Sequence, residues 1–298
     1  MTTSLTNNES TFQKIVRLLR WHKPAGRLIL MLPALWATVA AAKTQHQLPP
    51  LDLLGVVILG SLATSAAGCV INDLWDRDID PQVDRTKTRP LAERSLSIQV
   101  GIAVLLVAGL CAFLLSTYLN PLSFGLCFAA VPVIAIYPAC KRFFPVPQLV
   151  LSIAWGFAVL IPWSAVTGGL DRYAWELWTA VIAWTMGFDT IYAMSDRTDD
   201  LKVGVKSSAL FFGRYVTFAI AIFLALALGC LIWLGWEIQL GYAHYFACLT
   251  AGVIWIWQCN RLSQIEIPSE LYQKAFGQNV WIGFIILAGM LPSALSIG

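Results

Sequence analysis

Long apolar stretches alternate with short polar segments along the whole chain, and the alternation recurs nine times. Most stretches are apolar around the full circumference of a helix instead of along one stripe, the pattern of helices in lipid. At about 17 to 24 residues they are long enough to cross ~30 Å of hydrocarbon. The predicted spans are Arg27 to Ala42, Leu51 to Ile71, Ile98 to Tyr118, Pro121 to Ala139, Gln148 to Thr167, Trp175 to Met194, Tyr215 to Gly235, Gln239 to Gln258 and Gly277 to Ile297. The expected fold is all-α, a polytopic membrane bundle of nine transmembrane helices. Residues 1–26 form a polar N-terminal segment and residues 27–298 a single transmembrane domain.

Composition agrees with this pattern. The 298 residues are 58% hydrophobic and only 12% charged, with a mean hydropathy of +0.68, whereas a soluble domain carries roughly 25% charged residues. A net charge of +3, dispersed between apolar segments, points away from nucleic acid as a partner. If the N-terminus and every second loop share one side, 18 of the 20 Lys and Arg residues lie there, and only Lys43 and Arg172 fall opposite. The positive-inside rule then puts the N-terminus in the cytoplasm and, with an odd span count, the C-terminus across the membrane. A bacterial-type inner membrane fits this topology. The polar N-terminus, followed by so many spans, does not read as a cleaved signal peptide.

Two acidic clusters stand out against the apolar background. Asn72, Asp76 and Asp80 are successive i, i+4 neighbours, so on a continuous helix they stack along one face, with Pro81 discouraging further helix. Like charges in such a column repel, and a helix C-terminus disfavours anions, so the arrangement makes sense only with cations. Asp196 and Asp200 repeat the spacing, with Asp189 two turns back on the same face as the deepest acid and Tyr192 one turn along. Hard oxygen ligands that keep some water suit Mg²⁺ bound jointly with substrate phosphates. Each cluster runs at once into a basic loop, DRTKTRPLAER after the first and LKVGVKSSALFFGR after the second, which hints at an internal duplication.

Other chemistries lack support. The seven cysteines form no CxxC pair and read as packing residues, three scattered histidines make no zinc site, and neither GxxxxGK[ST] nor HExxH occurs. A cation-coupled transporter would place its carboxylates near the bilayer midplane, whereas both clusters lie at one face beside phosphate-suited cations. A non-catalytic lipid-binding scaffold predicts no Mg²⁺-dependent turnover. No obligate protein partner is evident.

NDLWDRDIDPQVDRTKTRPLA resembles the NDxxDxxxD signature of the UbiA superfamily of intramembrane prenyltransferases, and DTIYAMSDRTDDLKVGVKSSALFFG resembles its DxxxD region. Together with RLLRWHKPAG and YPACKRFFPVPQLVLS, these segments look most like the 4-hydroxybenzoate polyprenyltransferases. The resemblance implies a nine-helix bundle with a cytoplasmic polar cap. It makes Asn72, Asp76, Asp80, Asp196 and Asp200 the ligands of Mg²⁺ and, through it, of a diphosphate. It assigns Lys141 and Arg142, following Tyr137-Pro138, together with Lys206 and Arg77 to the leaving diphosphate, and Arg20 to the diphosphate or the acceptor's carboxylate. Departures such as Trp21-His22 before Lys23-Pro24 remove no proposed ligand.

The implied reaction joins a polyprenyl diphosphate to an aromatic acid, attacking from the ring carbon ortho to the hydroxyl of 4-hydroxybenzoate within a lipid bilayer, on the way to ubiquinone or plastoquinone. Homogentisate or a naphthoate is the alternative acceptor. Asp73 and Asp189 are candidate bases for the ring proton. Trp155, Phe157, Trp163, Trp184 and Phe188 are candidates to line the chamber and stabilise an allylic cation by their π faces, with structural packing as the competing role.

Overall fold

A computed structural model describes residues 9–264 and 267–296. The described chain is helical: α1 (Thr11–Leu18), α2 (Ala25–Thr44), α3 (Leu51–Trp75), α4 (Ile98–Ser116), α5 (Pro121–Cys140), α6 (Pro147–Thr167), α7 (Arg172–Met194), α8 (Arg197–Val203), α9 (Ser208–Phe212), α10 (Val216–Glu237), α11 (Gly241–Leu262) and α12 (Ser269–Leu295). Among the described residues, nine of these helices have 19 residues or more, one for each predicted span. The predicted end of the last span at Ile297, and residues 1–8 of the polar segment, lie outside the described residues.

Local sequence sets the helix ends. Ser97, Asn120, Asp171 and Ser207 accept the N–H groups of Val100, Ser123, Ala174 and Leu210, starting α4, α5, α7 and α9. Pro121 and Pro147 occupy first-turn positions, where a missing N–H costs nothing. Gly204, at φ +78°, closes α8 in the left-handed conformation, its N–H returning to Asp200 O at 2.9 Å.

Seven stretches are long and apolar enough to cross a membrane on their own: α2 to α6, the run from α9 through α10, and α12. Helices α7 and α11 have comparable lengths but carry Arg172, Glu176 and Asp189, or His244, Gln258 and Asn260. Protein covers much of α7, so it needs no fully lipid-compatible surface, whereas α11 turns Phe246, Leu249, Val253 and Ile256 outward and buries His244 and Gln258. Helix α7 packs against α6, α10 and α12, while α2 packs against α6 and α12 and α3 packs on α4. The dry core thus lies around α2, α7 and α12, and α3 to α5 enclose a more open side.

One buried polar group ties this core together. Asn279 of α12 has no exposed surface. Its side-chain oxygen accepts Trp184 Nε1 of α7 at 2.9 Å and Trp255 Nε1 of α11 at 3.0 Å, while its amide donates to Ala275 O at 2.9 Å. Trp184 stacks on Trp36 of α2 at 4.9 Å, and Trp36 donates to Gly283 O at 3.0 Å. Gly283 must be small, since a Cβ there would meet Leu32 Cδ1 at 2.4 Å. Replacing Asn279 by Leu leaves two buried indole N–H groups without an acceptor. The expected outcome is a destabilisation of about 1–3 kcal/mol, read as a lower unfolding midpoint in detergent or lipid.

Candidate active site

The two acidic motifs meet at one end of the bundle, each on a helix end that runs past its apolar stretch. Helix α3 continues from Ile71 to Trp75, carrying Asn72 and Asp73 on its last turn. It then stops: Asp76 is the C-cap, its N–H bonding Asn72 O at 2.9 Å, and Asp80 begins a 3-10 turn, Asp80–Gln82, that contains Pro81. Proline lacks an N–H and restricts the residue before it, so regular helix ends before Asp80. Asn72, Asp76 and Asp80 are therefore carried by successive turns of changing pitch, not by the single helical face that their spacing predicts.

The second motif is also broken. Helix α7 ends at Met194, where the hydroxyl of Ser195 returns to Tyr192 O at 2.7 Å, and Asp196 starts α8, which carries Asp200. Asp189 and the Asp196–Asp200 pair thus belong to different helices, contrary to the expected common face.

Each buried carboxylate has drawn in a cation from elsewhere in the chain. Asp73, Asp76 and Asp80 are 1%, 3% and 4% exposed, and unpaired charges so buried would each cost several kcal/mol. Asp73 accepts Arg20 Nη2 at 2.6 Å and Arg89 Nη1 at 3.1 Å, and Arg89 also reaches Asp80 at 2.8 Å. Lys141 Nζ donates to Asp76 Oδ2 at 2.7 Å and to Asn72 Oδ1 at 3.3 Å, over the Tyr137 ring. Arg85 Nε grips Asp196 at 2.9 and 3.1 Å, its Nη1 donates to Tyr192 OH at 2.9 Å, and its guanidinium lies over the Tyr192 ring. Arg20 adopts φ +54°, rare for a side chain of its size, at the turn that brings it to Asp73. Burial and the nearby Asp196 charge push the Asp200 carboxyl up to about 6. Burial likewise raises Asp80 despite the opposing charge of Arg89.

These groups form the rim of a chamber of about 980 Å³, whose apolar walls come mainly from α3, α4, α5 and α6. Arg20, Asn72, Asp73, Asp76, Asp80, Tyr137, Lys141, Asp189, Tyr192, Asp196, Asp200 and Lys206 all line it. Arg77 and Arg142 do not. Arg142 instead donates to Trp75 O at 2.8 Å and stacks over that indole, capping α3. Arg77 has a buried Nε without a partner, away from the lining, so neither residue occupies the diphosphate-holding position expected of it. Of the aromatic candidates, Trp155 and Phe157 line the chamber, whereas Trp163, Trp184 and Phe188 are at most 1% exposed and belong to the dry core. Arg85 and Arg89 are the rim residues that the sequence reading missed. Their only signal was membership of the basic loop after the first motif.

Among the described residues, no three acidic, His or Cys side chains converge into a preformed metal cage. Carboxylates repel one another and hold the loop cations instead. The residues nonetheless fit Mg²⁺ that arrives with phosphate ligands. Asp76 Oδ1 is buried with no partner, Asp200 faces the chamber, and the donors are hard oxygens of the kind that contribute one or two carboxylates to a largely substrate-bound and hydrated ion.

Known proteins resemble this chain in sequence and in fold. The UbiA prenyltransferase family matches residues 30–291. A 4-hydroxybenzoate solanesyltransferase of Synechocystis is 63% identical over 277 residues, 93% of this chain and 94% of the relative. A 4-hydroxybenzoate octaprenyltransferase of Vibrio campbellii is 38% identical over 275 residues, 92% of this chain and 95% of the relative. Among solved structures, the apo form of a UbiA homolog from Aeropyrum pernix K1 superposes with a TM-score of 0.77 at 24% identity, covering 89% of this chain and 97% of the other. A UbiA homolog from Archaeoglobus fulgidus bound to DMAPP and Mg²⁺ gives 0.67 at 18% identity, covering 92% and 99%, and at these identities the likeness is one of fold. Because the family match spans nearly all of the helical bundle, both acidic motifs included, and relatives at 63% and 38% identity cover more than nine tenths of the chain, the chain belongs to the UbiA prenyltransferase family.

Proposed function

We propose that this protein transfers a polyprenyl group, in a Mg²⁺-dependent reaction, from polyprenyl diphosphate to the ring carbon ortho to the hydroxyl of 4-hydroxybenzoate, a step of ubiquinone or plastoquinone biosynthesis. The observation that carries this reading is a rim of alternating carboxylates and cations over an apolar chamber, built for a diphosphate attached to a long hydrocarbon. The similarity to 4-hydroxybenzoate solanesyl- and octaprenyltransferases narrows the acceptor.

Asn72, Asp76, Asp80, Asp196 and Asp200 would hold Mg²⁺ together with the diphosphate, and the charge so supplied stabilises the departing oxygens. Lys141, Arg85, Arg89 and Arg20 pair with acids in the free protein. With Asp76, Asp80 and Asp196 engaged by the metal, Lys141, Arg89 and Arg85 would be free to meet the phosphate oxygens, while Arg20 stays with Asp73. Lys206, whose backbone N–H is fastened to Lys141 O at 2.7 Å, adds a further cation beside the phosphates. Ionisation of the allylic C–O bond leaves a delocalised carbocation within walls that exclude water, with Trp155 and Phe157 lending π faces. The acceptor's activated ortho carbon attacks this cation, and the ring proton then leaves. Both candidate bases line the chamber, but Asp73 is already held by two arginines, which supports Asp189.

This reading includes a topology: nine membrane spans in one domain over residues 27–298, with residues 1–26 and the polar cap cytoplasmic and the C-terminus on the other side of a bacterial-type inner membrane. The charge asymmetry across the loops supports it. Reporter fusions should therefore give a cytoplasmic signal after Arg89 and Lys202 and an opposite-side signal after Lys43 and Arg172, and a cytoplasmic signal at Arg172 would refute this arrangement.

Membranes carrying the protein are expected to join polyprenyl diphosphate to 4-hydroxybenzoate only with Mg²⁺ supplied, with loss on chelation. Asp76→Ala and Asp196→Ala should each lower turnover by about 100-fold or more, since each removes charge stabilisation from the departing diphosphate, as measured by product mass analysis. Undiminished turnover in both variants would sink the metal-cluster reading. Preference for homogentisate or a naphthoate would overturn only the acceptor.

A further inference from the structure

We propose that Arg27 binds the carboxylate of the aromatic acceptor, whose ring then lies between α2 and α3. The inference rests on the reading of the acceptor as an aromatic acid. Arg27 stands on the first turn of α2, is 8% exposed and lines the chamber. Its guanidinium lies 4.2 Å from the centre of the Trp21 ring and donates one hydrogen bond, to Leu19 O at 3.2 Å. Arg20, Arg85, Arg89 and Lys141 each hold an aspartate, whereas Arg27 has no acidic partner among the described residues. A buried guanidinium without a counterion is costly, and an entering anion relieves that cost.

The facing wall of α3 is polar where the bundle is otherwise apolar. Ser61, Thr64 and Ser65 line the chamber. In other spans, the hydroxyls of Thr38, Ser152 and Thr167 fold back on the carbonyl one turn earlier. Those of Ser61, Thr64 and Ser65 make no hydrogen bond among the described residues, so they are available to a ligand. Gly68, one turn closer to the acidic rim, leaves open space: a Cβ there would meet nothing within 4 Å.

Charge decides the orientation of the ring. The rim cations Arg20, Arg85, Arg89 and Lys141 are each paired with an aspartate, and Arg85, Arg89 and Lys141 are assigned to the diphosphate, so the rim keeps none of these four for the acceptor's carboxylate. In 4-hydroxybenzoate the reacting carbon adjoins the hydroxyl and the carboxylate is at the far end of the ring. An acceptor that presents its hydroxyl side to the allylic carbon therefore needs a cation set apart from the acids, and Arg27 is buried, unpaired and so placed. Arg20, the cation suggested by sequence for this role, is already committed to Asp73.

A headgroup phosphate of an anionic lipid offers the same chemistry, so the test separates the two anions. The full chain is reconstituted in zwitterionic and in anionic nanodiscs, and wild type, Arg27→Gln and Arg27→Lys are compared on the aromatic acid and on its neutral amide. Arg27→Gln is expected to raise KM for 4-hydroxybenzoate by about tenfold or more in both lipids, the loss of a charge-assisted hydrogen bond. KM for the polyprenyl diphosphate should stay unchanged, and the preference for 4-hydroxybenzoate over 4-hydroxybenzamide should collapse, with Arg27→Lys intermediate. Equal losses on acid and amide would mean that Arg27 only fastens the turn at Leu19 and Trp21, and an effect confined to anionic nanodiscs would mean that it holds a headgroup. Either result overturns the proposal. Should Arg27→Gln not yield folded protein, the acid-to-amide preference of Arg27→Lys decides in the same way. Wild-type turnover of 4-hydroxybenzoate tests the function separately: if another aromatic acid is prenylated instead, that reading fails and the same comparison is made with that acid and its amide.

Discussion

Ionised carboxylates at the mouth of an apolar chamber must be neutralised, and the architecture of the rim follows from that constraint. Three of them are almost wholly buried, in surroundings where an uncompensated charge would outweigh a large part of a protein's net stability. The loop after α3 therefore folds back, delivering Arg89 to Asp73 and Asp80 and Arg85 to Asp196 on the other motif. Lys141 reaches Asp76 from the end of α5. In the proposed reaction the pairs that stabilise the free protein would also station cations for the diphosphate, so folding and substrate recognition would draw on one set of charges.

Two interiors of different character coexist in the bundle. Around α2, α7 and α12 the packing is dry, and Asn279, Trp36, Trp184 and Trp255 lock it with satisfied hydrogen bonds. Within α3 to α6 the walls recede into the chamber. A rigid half thus holds Asp189 and the second motif against a roomier half that holds the first motif and has space for a hydrocarbon tail. Arg27, on the helix between the two halves, is a buried arginine of the chamber wall that has no acidic partner among the described residues.

The helices were legible from hydrophobic pattern because lipid-facing segments must be apolar all round and long enough to cross. The pattern was weakest at α7, where protein burial replaces lipid exposure, at α11, where the buried His244 and Gln258 interrupt it, and at the ends, where α3 runs on to Trp75 and α12 begins at Ser269, before its predicted start. Spacing singled out Asn72, Asp76 and Asp80 as one cluster and Asp196 and Asp200 as another, but the continuous helical stripes it predicted do not exist. Pro81 and the break at Ser195 divide them. Arg77 and Arg142 illustrate the same limit: both stand in the turns just after α3 and α5, beside motif residues in the chain, yet neither lines the chamber, and Arg142 donates to Trp75 O instead.

By itself the sequence determined that this is an all-helical membrane chain with two acidic motifs followed by basic loops, because hydrophobic length, charge asymmetry and residue type are local properties that can be read position by position. Only the tertiary structure decided which cation answers which acid, which aromatic residues face the chamber and which the core, and that the buried Arg27 lines the chamber without an acidic partner among the described residues. Those are properties of pairs far apart in the chain, such as Arg20 with Asp73 or Arg85 with Asp196. Coulomb attraction acts on distance in space, which the order of residues does not contain.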